Sequence, residues 1–219
     1  MAPRLLATLE TQALCARFGL ELAPARLISG AEAALASAEE LGYPLALKAV
    51  SPAQTHKTDA GLVILDLKDP DQLQSAWDEL ARRSHGLPLE GMLVQKMAAP
   101  GLEVLVGVQV DPQFGPVVAL GLGGALVHLL DELALALPPL TRLEVEDLLA
   151  ETRLGRLLTG VRGGLPADRA ALIDLVLKVS RLAVDGPPLA ALDFNPVIVH
   201  PAGQGLSLVD ARIFAAEGS

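Results

Sequence analysis

Apolar positions along the chain recur at two spacings, and the switches between them mark the elements. At helical spacing, Ala34, Ala38 and Leu41 form one stripe over residues 31–41, stopped by Gly42. Asp69-Pro70 opens a second helix over about 70–83, with Leu73, Trp77 and Leu80 on one face. The clearest helix is 167–184, where Leu172, Leu175, Val176, Val179, Leu182 and Ala183 line up. Residues 5–18 read the same way, and Thr141 with Glu144 makes a capping box for a helix near 142–150. Short apolar runs predict strands at 44–50, 61–67, 91–97, 102–110 and 116–120, the last two joined by the turn Asp111-Pro112-Gln113-Phe114-Gly115. A final pair, 190–199 and 206–213, flanks the turn at 200–205. Helices interleaved with mostly antiparallel strands predict an α+β (mixed α/β) fold.

Composition narrows the class. With 219 residues and 51% hydrophobic content, the chain can build one larger core or two lobes. The apolar residues are spread out, and no uncharged run is long enough for a membrane span. Net charge is −9, aromatics are 3%, and no stretch is rich in Lys or Arg, which argues against nucleic-acid binding. The single cysteine, Cys15, excludes an internal disulfide and fits a reducing compartment; its helical surroundings predict a buried thiol. Residues 1–4 carry no signal-type apolar run, so the expected location is cytoplasmic.

Three places carry candidate chemistry. Lys48 interrupts an apolar strand, and a core strand keeps an ammonium only where the charge has a partner. A phosphate would be one; a strand-edge lysine with its head in water is the plain alternative. Directly after it, the polar loop 51–60 offers His56, Lys57 and Asp59. His56 there could serve as base, ligand or phosphate acceptor, or be an ordinary loop histidine. In the C-terminal hairpin, Asp193 and Asn195 lie two residues apart on one strand face. If residue 199 pairs with 206, Asp210 falls opposite Asn195. Two carboxylates and an amide oxygen are hard donors that suit Mg²⁺ beside phosphates. On spacing alone that reading stands level with a turn-flanking Asn-Pro and a surface acid. Finally, Gly121-Leu122-Gly123-Gly124 is a tight backbone passage that could approach a phosphate, although it lacks the context of a dinucleotide or Walker loop.

Taken in order, these residues resemble the ATP-grasp domain of the nucleoside-diphosphate-forming acyl-CoA synthetases, most closely the β subunit of ADP-forming acetate–CoA ligase, a relative of the succinyl-CoA synthetase β chain. The matching stretches run from Gly42-Tyr43-Pro44 through Lys48, Ser51-Pro52, His56-Lys57-Thr58-Asp59 and Gly61 to Val94-Gln95. They continue with Gly101-Leu102-Glu103 through Gly107, residues 111–116, residues 121–124, Pro139-Leu140-Thr141 and Gly160-Val161-Arg162-Gly163. Leu192-Asp193-Phe194-Asn195-Pro196 and Val209-Asp210-Ala211-Arg212 complete the set.

The resemblance implies two lobes clamping ATP: a smaller one of residues 25–97 and a larger one of residues 1–24 and 98–219. It implies the reaction acyl-CoA + ADP + phosphate ⇌ carboxylic acid + CoA + ATP. It further implies a partner, a CoA-binding α subunit with its own phosphohistidine, in a hetero-oligomer. His56 matches the histidine that relays the phosphoryl group, and Lys48 the nucleotide-phosphate lysine. Lys57, Gly123, Gly124 and Glu103 join the nucleotide set; Asn195 and Asp210 match the metal pair for Mg, with Asp193 a neighbouring acid. The chain also departs from the pattern. His128 stands where a glutamate is usual, Asp131-Glu132 replaces Lys-Asp, and Lys96, Ala136, Gly164 and Ala191 occupy positions that are charged in relatives. These departures motivate a second expectation, a catalytically weakened regulatory or structural subunit that still binds nucleotide.

Overall fold

The computed structural model describes residues 3–52, 61–124, 133–160 and 164–216. The chain divides into two compact units, Ala23–Ala98 and the combination of Met1–Leu22 with Ala99–Ser219.

The smaller unit is a four-stranded sheet with two helices on one face. Its strands are β2 (Ala25–Ile28), β3 (Leu45–Val50), β4 (Val63–Leu67) and β5 (Gly91–Lys96), in the spatial order β2-β5-β3-β4. Every pairing is antiparallel. Helices α2 (Ala31–Leu41) and α3 (Pro70–Arg83) follow the predicted stripes. Ala34 and Ala38 of α2 and Leu73, Ala76 and Leu80 of α3 pack on Leu45, Leu47, Met92 and Val94, with Trp77 half-buried beside them. Asp69 caps α3 by accepting from Gln72 N at 2.8 Å, and Pro70 fills the first turn, where its missing N–H costs nothing. Gly42 ends α2 at φ +71°, a conformation that favours glycine.

The larger unit is a seven-stranded sheet covered by helices. Strands β1 (Arg4–Leu5), β6 (Leu102–Asp111), β7 (Gly115–Leu122), β8 (Leu133–Ala136), β9 (Leu189–Val199) and β11 (Arg212–Ala215) run in the order β1-β11-β9-β6-β7-β8, and β10 (Leu206–Leu208) also pairs with β9. Here too every pairing of the named strands is antiparallel. Helix α1 is Thr8–Arg17, α4 is Arg142–Ala150, α5 is Arg153–Leu158 and α6 is Arg169–Asp185. The Thr141–Glu144 capping box opens α4 as its spacing predicts. The stripe of α6 is buried against Val104, Val106, Val108, Val118, Leu120, Leu192 and Phe194. Cys15 lies in this core, where burial pushes its thiol up to about 12.

The α+β expectation holds. Where prediction and structure differ, the missed elements are short: β1, β2, β8 and α5 span two to six residues, too few for periodicity to register. The predicted strand 206–213 is split, with residues 209–211 outside the ladder. That split falls at the candidate metal site.

Candidate functional site

In the larger unit, the inward positions Val104, Val106 and Val108 of β6 and Leu192 and Phe194 of β9 face the helices. Alternation turns Glu103 and Gly107 of β6 and Asp193 of β9 to the opposite face. Between Phe194 and Val197, both fully buried, the inward phase of β9 slips by one residue. The slip falls on Asn195-Pro196 and is a β-bulge, a device that re-aims a side chain.

The opposing strand slips in step. Leu206 pairs with Val199 and Leu208 with Val197, the register expected from the sequence. Beyond the break, Arg212 pairs with Asp193. Four residue steps separate these contacts on each strand, so Asp210 falls opposite Asn195. The break at 209–211 thus leaves the register intact.

Around this point the polar groups are engaged with one another. The Gly124 N–H donates to Asn195 Oδ1 at 3.0 Å. The Ala211 N–H donates to Asp210 Oδ1 at 3.1 Å. Arg212 Nη2 donates to Asp193 Oδ2 at 2.5 Å, with side chains only 17% and 28% exposed. Gly123 donates to Glu103 O at 2.9 Å, and a Cβ on it would meet the Val104 backbone at 2.6 Å. Gly124 has φ +62°, and a Cβ there would come within 1.5 Å of Glu103 Oε2. The tight glycine passage read from the sequence therefore brings the Glu103 carboxylate and the Asn195 amide to the same residue.

This donor set suits a hard cation. Asn195, Asp210 and Glu103 offer one amide and two carboxylate groups as oxygen donors, and Mg²⁺ takes one or two protein carboxylates together with phosphate and water. Among the described residues no group of three or more His, Cys, Asp and Glu forms a self-sufficient metal site. Asp193 is different, because its carboxylate is already held by Arg212. Arg212 closes the Val209–Arg212 motif, and the motif by itself assigns it no role. The signal was available: the register that sets Asp210 opposite Asn195 also sets Arg212 opposite Asp193.

In the smaller unit, β3 lies between β5 and β4 and Lys48 is 8% exposed, so the strand-edge alternative with a solvated ammonium does not hold. Leu45 and Leu47 point to the helices, and alternation turns Lys48 to the other face. The buried Gln95 shares that face, two pairs along the ladder, opposite Ala46. Lys96, the departure at the end of β5, donates from Nζ to Gly42 O at 2.8 Å and Tyr43 O at 2.7 Å. It ties β5 to the turn after α2. His56, Lys57, Asp59 and His128 lie outside the described residues. Among the described residues no helix is long and apolar enough to cross a membrane.

Comparison with known proteins covers nearly the whole chain. Residues 2–214 match the family model of the ATP-grasp domain. The chain is 37% identical over 209 residues to the II subunit beta of an ADP-forming acetate–CoA ligase of Pyrococcus furiosus, covering 93% of this chain and 89% of that subunit. It is 40% identical over 204 residues to an ADP-forming acetate–CoA ligase I of Archaeoglobus fulgidus, covering 91% of this chain but only 29% of that longer one. It is also similar to the acetyl-coenzyme A synthetase 1 of Ca. Korarchaeum cryptofilum, solved with coenzyme A and Ca-AMPCP. The TM-score is 0.91 at 34% identity, covering 97% of this chain and 94% of that one. A second structure of that enzyme, with coenzyme A and Mg-AMPPCP, has its phosphohistidine segment pointing towards the nucleotide binding site; its TM-score is 0.84 at 34% identity, covering 97% of this chain and 93% of that one. Relatives named as β subunits imply a partner subunit. Mixed helices and antiparallel sheets, the glycine passage beside Asn195, and the match over residues 2–214 agree: the chain belongs to the ATP-grasp family, among the β subunits of the ADP-forming acetate–CoA ligases.

Proposed function

We propose that this chain is the nucleotide-binding subunit of a cytoplasmic ADP-forming acyl-CoA synthetase, with the reaction acyl-CoA + ADP + phosphate ⇌ carboxylic acid + CoA + ATP. Its partner in this reading is a CoA-binding α subunit that carries its own phosphohistidine. The two compact units are then the ATP-grasp lobes. The observation that carries the reading is the arrangement in the larger unit, where Asn195 and Glu103 meet at Gly124 and Asp210 falls opposite Asn195.

Asn195 and Asp210 would hold Mg²⁺, with Asp193 close by, and Glu103 and the backbone at Gly123 and Gly124 would face the nucleotide. A cation there would offset the charge on the nucleotide phosphates. Lys48 supplies a point charge for phosphate oxygens, and Lys57 a second. His56 accepts the phosphoryl group: its neutral imidazole nitrogen attacks phosphorus as the N–P bond to the partner's histidine breaks. The same group then passes to a terminal ADP oxygen, forming ATP and returning the imidazole. His128, Ala136, Gly164 and Ala191 thin the surrounding charge, yet the residues assigned to phosphate and metal are present.

Calorimetric titration with ADP, with and without Mg²⁺, tests the binding. Turnover from acyl-CoA with the co-expressed CoA-binding subunit tests the reaction. Mg²⁺-dependent ADP binding and ATP formation are expected. Binding without turnover in the complex would favour the regulatory subunit, and no ADP binding would reject both.

A further inference from the structure

The Asp193–Arg212 pair stands on the face of the candidate metal site, and the sequence gives Asp193 a place among the metal ligands. We infer that Asp193 is not a ligand: it is a positioning residue that acts through Arg212, and the pair is a clamp that sets Asp210 against Asn195. The inference rests on the reading of Asn195 and Asp210 as the metal pair.

Three features carry it. First, the geometry commits the Asp193 carboxylate. Oδ2 lies 2.5 Å from Arg212 Nη2, the two residues face each other in the ladder, and both side chains are largely buried. Turning Asp193 toward a cation would strip Arg212 of that charge partner in a poorly solvated place. Second, the clamp sits where the backbone ladder resumes after a gap. Leu208 opposite Val197 anchors one end of the gap, Arg212 opposite Asp193 anchors the other, and Asp210 lies within it. The Asp193–Arg212 pair is thus the first ladder pair beyond Asp210, and its side-chain tie reinforces it. Third, Gly107 is the other neighbour of Asp193 in the sheet, and it offers no side chain to brace the carboxylate from that side. On the β11 side Arg212 does the holding. Its charge also offsets one carboxylate on a face that carries Asp193, Asp210 and Glu103, so the site need not assemble three like charges before a cation arrives.

The test uses the full-length chain, ADP with MgCl₂, ADP with EDTA, and Mn²⁺ as a spectroscopic stand-in whose binding is read directly by electron paramagnetic resonance. Arg212→Gln and Asp193→Asn should each weaken Mn²⁺ binding and Mg²⁺-dependent ADP binding by about 10–100-fold, the usual effect of losing a group that orients a metal ligand. ADP binding in EDTA should not change. The double variant should be no worse than either single one, because both break the same contact. Arg212→Lys should recover part of the loss. A direct ligand role predicts the opposite sign at one position: Arg212→Gln would free the Asp193 carboxylate and tighten Mn²⁺ binding, and that result overturns the clamp. Metal binding unchanged in both single variants, with only a lower melting temperature, would reduce the pair to a structural contact and also overturn it. Asp210→Asn separates the two levels. If it leaves Mn²⁺ binding intact, the metal reading itself fails; if it abolishes binding while Asp193→Asn and Arg212→Gln do not affect it, only the clamp fails. Should Arg212→Gln not fold, Arg212→Lys still carries the sign test: a partial loss of Mn²⁺ binding is expected, and tighter binding overturns the clamp.

Discussion

An ammonium on an inner strand of a four-stranded sheet needs a reason to stay. Lys48 is 8% exposed, and its two flanking residues in β3, Leu47 and Ala49, are fully buried. Its neighbour on the same face is the buried amide of Gln95, so two buried polar side chains share this face of the sheet. Lys48→Met keeps most of the stem and removes the charge. ADP affinity should fall by about 1.5–3 kcal/mol, the range for hydrogen bonds to charged groups, without loss of the folded state. Unchanged affinity by calorimetry would remove Lys48 from the site. Gly124 is the second residue whose chemistry is set by its surroundings. Its φ of +62° disfavours any other residue, and a Cβ would press on Glu103 Oε2. Gly124→Ala should lower stability by about 1–2 kcal/mol, the penalty for a left-handed non-glycine residue. It should also displace the N–H that now fixes Asn195 and so weaken Mg²⁺-dependent nucleotide binding. Normal binding at reduced stability would show that the Gly124–Asn195 contact is dispensable for the site. Lys96 was legible as a departure from the family, and the structure explains it locally: its ammonium satisfies the carbonyls of Gly42 and Tyr43.

At the scale of elements, α6 and the β9–β10 turn share one residue. Asp168 caps α6 by accepting from Ala171 N at 3.1 Å, and it also accepts from Gly205 N at 2.8 Å in the turn. The Gly205 bond first, and then the Ala171 bond, hold its carboxyl below the ordinary value of 3.8. A lowered folded pKa means that the contribution is present above the unfolded value and is lost as pH falls through the folded one. Asp168→Ala should therefore destabilise the chain by about 0.5–2 kcal/mol at neutral pH, the range for a lost helix cap. The gap between the two proteins should narrow as the pH drops below 3.8. A gap independent of pH would assign the effect to packing instead. Most of this level was legible in the sequence because long amphipathic helices and paired apolar runs have a period. The stripe of α6 and the capping box of α4 appear as read. The split between β10 and β11 was not legible, because the break at 209–211 preserves the register counted from the turn. Edge elements such as β8 are too short for periodicity to register, and the burial of β8 adds no signal. Leu133 and Leu135 are exposed and Ala134 and Ala136 half-buried, the reverse of the usual alternation.

At the scale of the whole molecule, the proposed reaction raises the question of how a phosphoryl group would cross from the CoA-binding part to this chain. The chain spans 89% of a relative that is a separate β subunit and 29% of one in which the same region is part of a longer chain. In either arrangement, the proposed reaction needs a group to leave a site on the CoA-binding part and reach ADP on this one. A direct transfer would require both sites within bonding distance, whereas a histidine that carries the group splits the path into two shorter steps. His56 is the residue in the chain that the family pattern fits for this role, and near neutral pH an unperturbed imidazole is largely in the neutral, nucleophilic form. Lys57, the next residue in the sequence, would attract the incoming phosphate. His56→Ala should abolish acid-labile phosphorylation of this chain and ATP formation with the partner. Nucleotide binding and melting temperature should stay close to those of the unsubstituted protein. The contrast with Lys48→Met is what makes the experiment decisive: one variant loses binding and the other loses transfer. If the His56→Ala complex still makes ATP from acyl-CoA at the normal rate, the phosphoryl group reaches ADP without this histidine.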